Sequence, residues 1–170
     1  DVAGKPTQTS KVTESLNLPA DGTAVDPANF DPTDSDTYTK STSVVIYDSL
    51  GKSHTVTQYF MKDSTAAATN PNTWRLVTYM DSKPVNITGG TGTPAGAVLA
   101  FDSQGALTTQ TPDRMVTEQL GAAGAGIINN GVDGTQTFEI KFGFEVFKKL
   151  ISVYTIIISH EFNVILFYLF

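Results

Sequence analysis

The stretch STSVVIYDSLGKSHTVTQYFMK, residues 41–62, decides the fold class of this chain. It opens with β-branched and aromatic residues, which favour strands, and then turns at DSLGK, where Gly51 is free to take a positive φ. Apolar and polar residues alternate in the segment that follows, so that Val56 and Phe60 share one face of a strand. The sequence therefore predicts a β-hairpin over residues 41–61.

Two further segments extend this pattern. TWRLVTYMD, residues 73–81, reads as a third strand with Trp74, Leu76 and Met80 on one face. AVLAFDSQGALTT, residues 97–109, reads as a second hairpin that turns at DSQG. Successive strands joined by short loops indicate an antiparallel meander.

The remaining segments of residues 1–140 give weaker patterns. A short strand is predicted around Val85–Thr88, and TQTFEIKF, residues 135–142, is predicted to be the last strand of the meander. Arg114–Leu120 is predicted to form a short helical turn ended by Gly121. No segment keeps a helical period over three turns, so we predict an all-β fold, an antiparallel meander that forms a β-barrel or a sandwich-like domain.

Composition divides the chain into three parts. Residues 1–40 form an extended lead-in, broken by prolines, in which Val12, Leu16 and Leu18 fall on one or two short strand segments. Residues 41–140 form the β-domain. Residues 141–170 form an anomalous hydrophobic tail, which holds the last six of the chain's 10 phenylalanines.

Three interpretations of this tail stay open. Residues 150–170 are long enough for a transmembrane helix, although Glu161 and several other polar residues interrupt the apolar run. The tail also fits a buried helix or strand pair of the native fold. Separately, the missing last strands would leave an unpaired sheet edge, and KFGFEVF, residues 141–147, is a candidate to pair with it. The third interpretation is a non-native tail, since its residue types are those of AT-rich codons read out of frame.

Charge and cysteine content exclude several function classes. The formal net charge is −6 and the sequence pI is about 4.7, so the chain repels phosphate backbones and nucleic-acid binding is not expected. The chain has no cysteine, which excludes disulfides, thiolate nucleophiles and cysteine-bound zinc. Charged residues make up only 16% of the chain, and their place is taken by Thr, Ser, Ala, Gly and Asn. Such a composition suits exposed strands joined by many turns.

His54 is the one histidine before the tail, and Asp48, Ser49 and Ser53 lie near it in sequence. A Ser–His–Asp arrangement is therefore conceivable, but the nucleophile-elbow pattern G-x-S-x-G is absent. Because His54 opens a strand just after a turn, we expect it to be an exposed polar residue. We predict no catalytic residue.

Three other groups of residues are candidate binding sites. Asp26, Asp31, Asp34 and Asp36 supply oxygen ligands for calcium, but they lack the glycine and the closing glutamate of a calcium loop, so turns bonded to their own backbone are expected. The glycine-rich stretch 121–126 is followed by INNGVDG rather than by a helix, so we expect a flexible loop. We predict no metal and no cofactor.

Aromatic residues are the third group. Sugar or base binding needs flat rings, and Trp74, Tyr79, Tyr59 and Phe60 supply rings of that kind. Their alternation along strands favours core packing for about half of them and cross-strand packing for the others.

The ordered motifs of residues 30–81 resemble the bacterial flagellar hook protein family. The resemblance rests on Ser41-Thr42-Ser43, Tyr47-Asp48-Ser49-Leu50-Gly51, His54, Tyr59-Phe60, Lys62 and Asn72-Thr73-Trp74. ESLNLPA, residues 14–20, and LAFDSQGAL, residues 99–107, are similar to neighbouring segments of that family. The family's terminal helical segments, and the last strands of its outer domain, have no counterpart in the chain, which therefore resembles an outer β-domain cut short.

This resemblance implies a structural subunit of the hook, the flexible joint between motor and filament, with no catalytic activity. It implies an exported, extracellular protein whose partners are other copies of the hook protein and the flagellar export and hook-cap proteins. No contact with a membrane is expected for residues 1–140. A β-sandwich binding module of a bacterial surface or adhesion protein is the alternative, and a hydrolase on a β-scaffold is a third hypothesis that lacks convergent acids.

Overall fold

The computed structural model describes residues 4, 6–129, 133–142 and 153–158. In this part of the chain the regular structure is almost entirely strand, with three single 3-10 turns at Pro27–Asn29, Ser35–Thr37 and Ser64–Ala66. The strands are β1 (Lys11–Pro19), β2 (Ala24–Val25), β3 (Lys40–Tyr47), β4 (Ser53–Asp63), β5 (Thr73–Met80), β6 (Lys83–Val85), β7 (Ala97–Phe101), β8 (Leu107–Thr111), β9 (Met115–Val116), β10 (Glu139–Phe142) and β11 (Val153–Ile158).

A seven-stranded sheet is built from the local hairpins. Its main path runs β2-β4-β5-β7-β8, with β3 also paired to β4 and β6 also paired to β5. The predicted β3–β4 hairpin is confirmed: Val44 lies opposite Val56, and Gly51 in the turn has a φ of 82°. The third strand is confirmed as β5, which pairs antiparallel with β4 and places Leu76 opposite Phe60.

The second predicted hairpin is also confirmed. β7 and β8 pair antiparallel from Val98↔Thr111 to Phe101↔Leu107, and Gly105 in their turn has a φ of 83°. The short strand expected around Val85–Thr88 lies slightly earlier, as β6, and Ile87 forms an isolated bridge with Thr117.

A four-stranded sheet, in the order β11-β1-β10-β9, forms the second layer. The prediction that residues 135–142 end the meander is wrong, because β10 leaves the first sheet and pairs parallel with β1, from Lys11↔Glu139 to Glu14↔Phe142. Parallel pairing needs no hairpin turn between its partners, so it leaves no local signal in the sequence.

The helical turn predicted over Arg114–Leu120 is wrong as well. Residues 115–116 are β9, and Thr117 continues the extended backbone. Its N–H donates to the Phe138 carbonyl at 3.0 Å, and it forms an isolated bridge with Ile87. Met115 and Thr117 are both buried, so the side chains alternate between core and surface as those of a strand do.

The apolar core lies between the two sheets, so the fold is all-β and sandwich-like, as predicted. Phe60 of the seven-stranded sheet contacts Phe142 of the other sheet, with ring centroids 6.2 Å apart. Neither sheet closes on itself in the described part of the chain. The largest fully buried side chains are those of Trp74, Phe60, Phe101, Phe138, Leu18, Ile46, Met61, Leu76, Met80, Ile87, Leu99 and Met115.

The lead-in and the tail both contribute to the second sheet. Residues 11–19 form one continuous strand, β1, whose Val12 and Leu18 are buried in the core, while the side chain of Leu16 is outside the described set. In the tail, residues 141–142 belong to β10, and 153–158 form β11, which pairs antiparallel with β1. Residues 143–152 and 159–170, which the three interpretations of the tail also involve, lie outside the described residues. No helix in the described part is long and apolar enough to cross a membrane.

Candidate functional site

His54 lies at the start of β4 and is held between two carboxylates. Its Nδ1 is 2.7 Å from Oδ2 of Asp81, and its Nε2 is 3.3 Å from Oδ2 of Asp48. The ring is only 3% exposed, so the expectation of an exposed histidine is wrong. From residue 54 to residue 60, the even-numbered residues of β4 are buried, and His54 has the same parity as Val56 and Phe60.

The two carboxylates tie two turns to the strand ends. We call His54, Asp48 and Asp81 together the His54 clamp. Asp48 Oδ1 accepts hydrogen bonds from the N–H groups of Leu50 and Lys52, both at 2.9 Å, and so closes the β3–β4 turn. Asp81 Oδ1 accepts from the Thr55 N–H at 3.0 Å. Burial raises the pKa of Asp81, but the hydrogen bonds from His54 and Thr55 outweigh it and hold that pKa below its usual value.

The clamp has the geometry of a structural hydrogen-bonded site. Catalysis by a histidine requires one ring nitrogen that faces a nucleophile or a substrate proton. Here each nitrogen already faces a carboxylate, and the Ser49 hydroxyl instead accepts a hydrogen bond from the Asp133 N–H at 3.2 Å. The clamp residues line neither of two surface grooves, one beside Phe30 and Arg75 and the other beside Arg114 and Glu139.

The acidic segment 26–36 folds into the self-bonded turns that its sequence predicts. Asp26 accepts from the Ala28 N–H at 2.9 Å, and Asp34 accepts from the Asp36 N–H at 3.0 Å. Asp31 accepts from both the N–H and the hydroxyl of Thr33, which hold the pKa of Asp31 below its usual value. The described residues contain no group of three metal-ligand side chains placed to hold one ion.

An aromatic cluster lies on the outer face of the seven-stranded sheet. Tyr59 of β4 and Tyr79 of β5 pack edge-on at 5.5 Å, and Phe30 and Tyr38 from the 26–38 loop pack on Tyr59 at 5.3 and 4.9 Å. Trp74, by contrast, is fully buried on the inner face. The predicted division of the aromatic residues between core and cross-strand packing is therefore confirmed.

A groove of about 850 Å³ adjoins this cluster. Its walls include Phe30, Met61, Val77 and Val98, and Arg75 lies along it. The Arg75 guanidinium is already engaged, since its Nε donates to Asp63 at 2.9 Å and its Nη1 donates to the Thr91 hydroxyl at 3.0 Å. The groove therefore offers mainly apolar contacts.

Glu14 is a buried ionisable residue whose burial was not predicted from the sequence. It is 0% exposed, and neither of its carboxyl oxygens has a hydrogen-bond partner in the described part of the molecule. Burial raises the pKa of Glu14 from 4.5 to about 8. The available signal was the alternation of the strand: Val12, Glu14 and Leu18 all stand at even positions of β1, and all three are buried.

The contacts of β10 locate Glu14 within the core. Its register partner on β10 is Phe142, and Phe142 contacts Phe60 of the opposite sheet. Gln58, the next inward-facing residue of β4 before Phe60, is also 0% exposed and has no partner for its amide atoms in the described residues. Both groups place polar atoms in an apolar layer, which costs stability.

Comparisons with known proteins identify the family. The family model described as the flagellar basal body protein FlaE D2 domain matches residues 17–164, a range that extends into the hydrophobic tail. The flagellar hook proteins FlgE of Salmonella typhimurium (strain LT2) and of Salmonella typhi are each 28% identical to the chain over 124 residues, which is 73% of this chain and 28% of each relative. The chain thus spans little more than a quarter of the length of these relatives. Since the family model covers most of the sequence, the chain belongs to the FlaE/FlgE D2-domain family of flagellar hook proteins.

Proposed function

We propose that this chain is part of a structural subunit of the bacterial flagellar hook, the flexible joint between motor and filament, and that it has no catalytic role. The family match over residues 17–164 carries this proposal. The two relatives named above are hook proteins by description, and the proposal assigns their role to the protein that contains this chain.

The architecture supports a role as a building block. The two sheets share one continuous apolar core, and the acidic side chains of the turns are used to bond local backbone, as at Asp48, Asp63, Asp102 and Asp133. Turns that are closed in this way resist deformation, because each carboxylate holds backbone N–H groups of its own turn in place. A rigid block suits a subunit that transmits torque through its neighbours.

The partners follow from the proposed role. Other copies of the hook protein would surround the chain in a helical assembly, and the export apparatus and the hook cap would handle it before assembly. We place the protein outside the cell, in the hook. Because most of the hook protein's length lies outside this chain, we expect the chain alone to form no ordered filaments, which sedimentation and negative-stain electron microscopy would test.

Immunogold electron microscopy tests the proposed function directly. Antibodies are raised against the chain and applied to flagellated cells of the bacterium that encodes it. We expect gold only on the short curved segment between the cell body and the filament. Labelling spread over the cell surface, or unlabelled hooks on cells that express the protein, would contradict the proposal and favour a surface binding module.

A further inference from the structure

Three buried polar side chains lie near one contact between the two sheets. Glu14 of β1, Gln58 of β4 and Thr78 of β5 are fully buried, and their polar side-chain atoms have no hydrogen-bond partner among the described residues. Gln58 and Thr78 lie directly opposite each other on the seven-stranded sheet. Glu14 belongs to the facing sheet, where its register partner is Phe142. The Phe142 ring packs on Phe60, the next inward-facing residue after Gln58 on β4, so the polar groups weaken the packing around this contact.

The strand pairing that covers Glu14 is short. β1 and β10 pair only over residues 11–14 and 139–142, whereas the β3–β4 hairpin pairs over residues 40–47 and 53–60. The two strands of the short pair come from distant parts of the chain, and no turn joins them. We call this pair the β1–β10 ladder. A short pairing between distant segments opens at a lower free energy than a long hairpin in the core of a sheet.

Neighbouring strands of its own sheet bring no counter-charge to Glu14. On β10, Glu139 and Lys141 alternate with the buried Phe142 and therefore lie on the other face. On β1, Lys11 has the opposite parity to Glu14. Burial alone raises the pKa of Glu14 to about 8, which agrees with the absence of a facing charge in the described part of the chain.

The facing sheet and β11 offer no counter-charge either. The basic residues of β3 and β4 that share the parity of the core-facing positions are held by the clamp carboxylates or by backbone carbonyls of residues 17 and 20: His54, Lys40 and Lys62. The titratable residue of β11 is Tyr154, whose register partner is Leu18 rather than Glu14. An ionised Glu14 gains solvation only if water reaches it.

We propose that Glu14 is a proton-controlled latch on the β1–β10 ladder. While Glu14 is neutral, β10 stays paired with β1. When Glu14 loses its proton, β10 separates from β1 at the Phe142 end, and water reaches the carboxylate while the hairpins of the seven-stranded sheet stay intact. The inference is independent of the proposed hook function, because it rests only on the core of this domain.

The sign of the pH dependence follows from the proton. The closed form binds it up to about pH 8, and a carboxyl group that is exposed by opening releases it above 4.5. Between these two values a rise in pH therefore favours the open form, by up to about tenfold in the opening equilibrium for each pH unit. Above pH 8 this dependence levels off.

Hydrogen exchange of the 170-residue chain, followed by NMR between pH 5 and 7.5, tests the latch. Each amide rate is divided by the chemical exchange rate of an unstructured peptide at the same pH. We expect the corrected rates in the β1–β10 ladder to rise by up to about tenfold per pH unit. We also expect them to exceed the corrected rates of the β4–β5 pair at every pH, because the ladder opens without global unfolding.

Two substitutions separate the proton from the other buried polar groups. Glu14→Gln should abolish the pH dependence of the corrected rates in the ladder, and Glu14→Leu replaces it if circular dichroism shows that the first variant does not fold. Thr78→Val is the matched control, because it removes an unpartnered hydroxyl beside Gln58 but no titratable group. It should slow the opening by a similar factor at each pH and keep the pH dependence.

Two results would overturn the proposal. Corrected rates that are equal in the β1–β10 ladder and in the β4–β5 pair, with the same dependence on low concentrations of urea, would mean that the domain opens only as a whole. A pH dependence that persists in the folded Glu14 variant would mean that another group controls the ladder.

Discussion

The His54 clamp and the Glu14 site are two buried titratable regions with opposite solutions. At the hairpin end of the seven-stranded sheet, His54 has a carboxylate at each ring nitrogen, at 2.7 and 3.3 Å. In the four-stranded sheet, Glu14 is equally buried but has no hydrogen-bond partner among the described residues. The difference teaches that burial alone does not set the energetic effect of a polar group; its partners do.

The largest expected effect comes from Glu14. Its pKa is raised from 4.5 in the unfolded chain to about 8 in the folded protein, so the folded state holds the proton more tightly. The free energy of unfolding is therefore highest below pH 4.5, where Glu14 is neutral in both states. It falls by roughly 2–4 kcal/mol as the pH rises toward 8, because the unfolded chain then loses the proton that the folded chain keeps. Glu14→Gln should remove this loss, as measured by urea unfolding between pH 5 and 8. A stability that falls equally steeply with pH in Glu14→Gln would show that Glu14 is not the cause.

Glu14→Leu sharpens the same comparison. This substitution removes the unpaired carboxyl group and keeps an apolar side chain in the core, so it should raise the free energy of unfolding at pH 8 by more than it does at pH 5. The matched control is Glu118→Gln, because Glu118 is half-exposed and its carboxylate already accepts from the Asn86 N–H at 2.8 Å. Glu118→Gln should not reproduce the gain in the free energy of unfolding that is expected from Glu14→Leu at pH 8.

The second effect in size comes from the His54 clamp. His54→Ala leaves Asp48 buried without its imidazole partner and unties the two turns, so we expect a loss of about 1–3 kcal/mol. Hydrogen exchange should become faster at the amide N–H groups of Leu50, Lys52 and Thr55, because these groups donate hydrogen bonds to the clamp carboxylates. Unchanged protection of these amides would contradict the assigned role.

The clamp also predicts an acid dependence opposite in sign to that of Glu14. The pKa of Asp81 is lowered in the folded state, so its contribution is present above the ordinary pKa of an aspartate and is lost as the pH falls through the lowered value. Asp81→Asn should therefore flatten the fall in stability at acid pH. This fall, unlike the change caused by Glu14, occurs below pH 4, approximately the unfolded pKa of aspartate.

The smallest effect is expected at the turn that the clamp closes. Gly51 has a φ of 82°, a conformation that costs a residue with a side chain about 1 kcal/mol, and a Cβ at this position would lie 3.3 Å from Pro6. Gly51→Ala should thus lower the free energy of unfolding by about 1 kcal/mol or slightly more. Gly126→Ala is the control, because it has a φ of 65° but nothing within 4 Å of the added Cβ. A smaller loss from Gly51→Ala than from Gly126→Ala would contradict the predicted contact with Pro6.

The local hairpins could be predicted from the sequence because each is encoded within a short segment. The alternation of Val56 and Phe60 and the glycine at position 51 specify both strand face and turn without reference to any other part of the chain. The family motifs lie in these same segments, and so the family was also predictable. The self-bonded turns at Asp26, Asp31 and Asp34 were predictable for the same reason.

The burial of His54 was not predicted, although the parity of β4 contained the information. A histidine after a turn is usually exposed, and its partner Asp81 lies 27 residues away in sequence. The helical turn expected over Arg114–Leu120 failed because Met115 and Thr117 are drawn into the core by pairing with a distant strand. In each case a contact between distant residues overrode the local preference.

By itself, the sequence determined the all-β class, the two hairpins, the acidic surface and the exclusion of cysteine chemistry, because all of these depend on residue type and short-range alternation. Only the tertiary structure decided that β1 and β10 pair in parallel, that Glu14 is buried without a hydrogen-bond partner among the described residues, and that Phe30 and Tyr38 pack on Tyr59. These features depend on which distant segments meet, and a residue's environment in the folded chain is set by those neighbours rather than by the residues beside it in sequence.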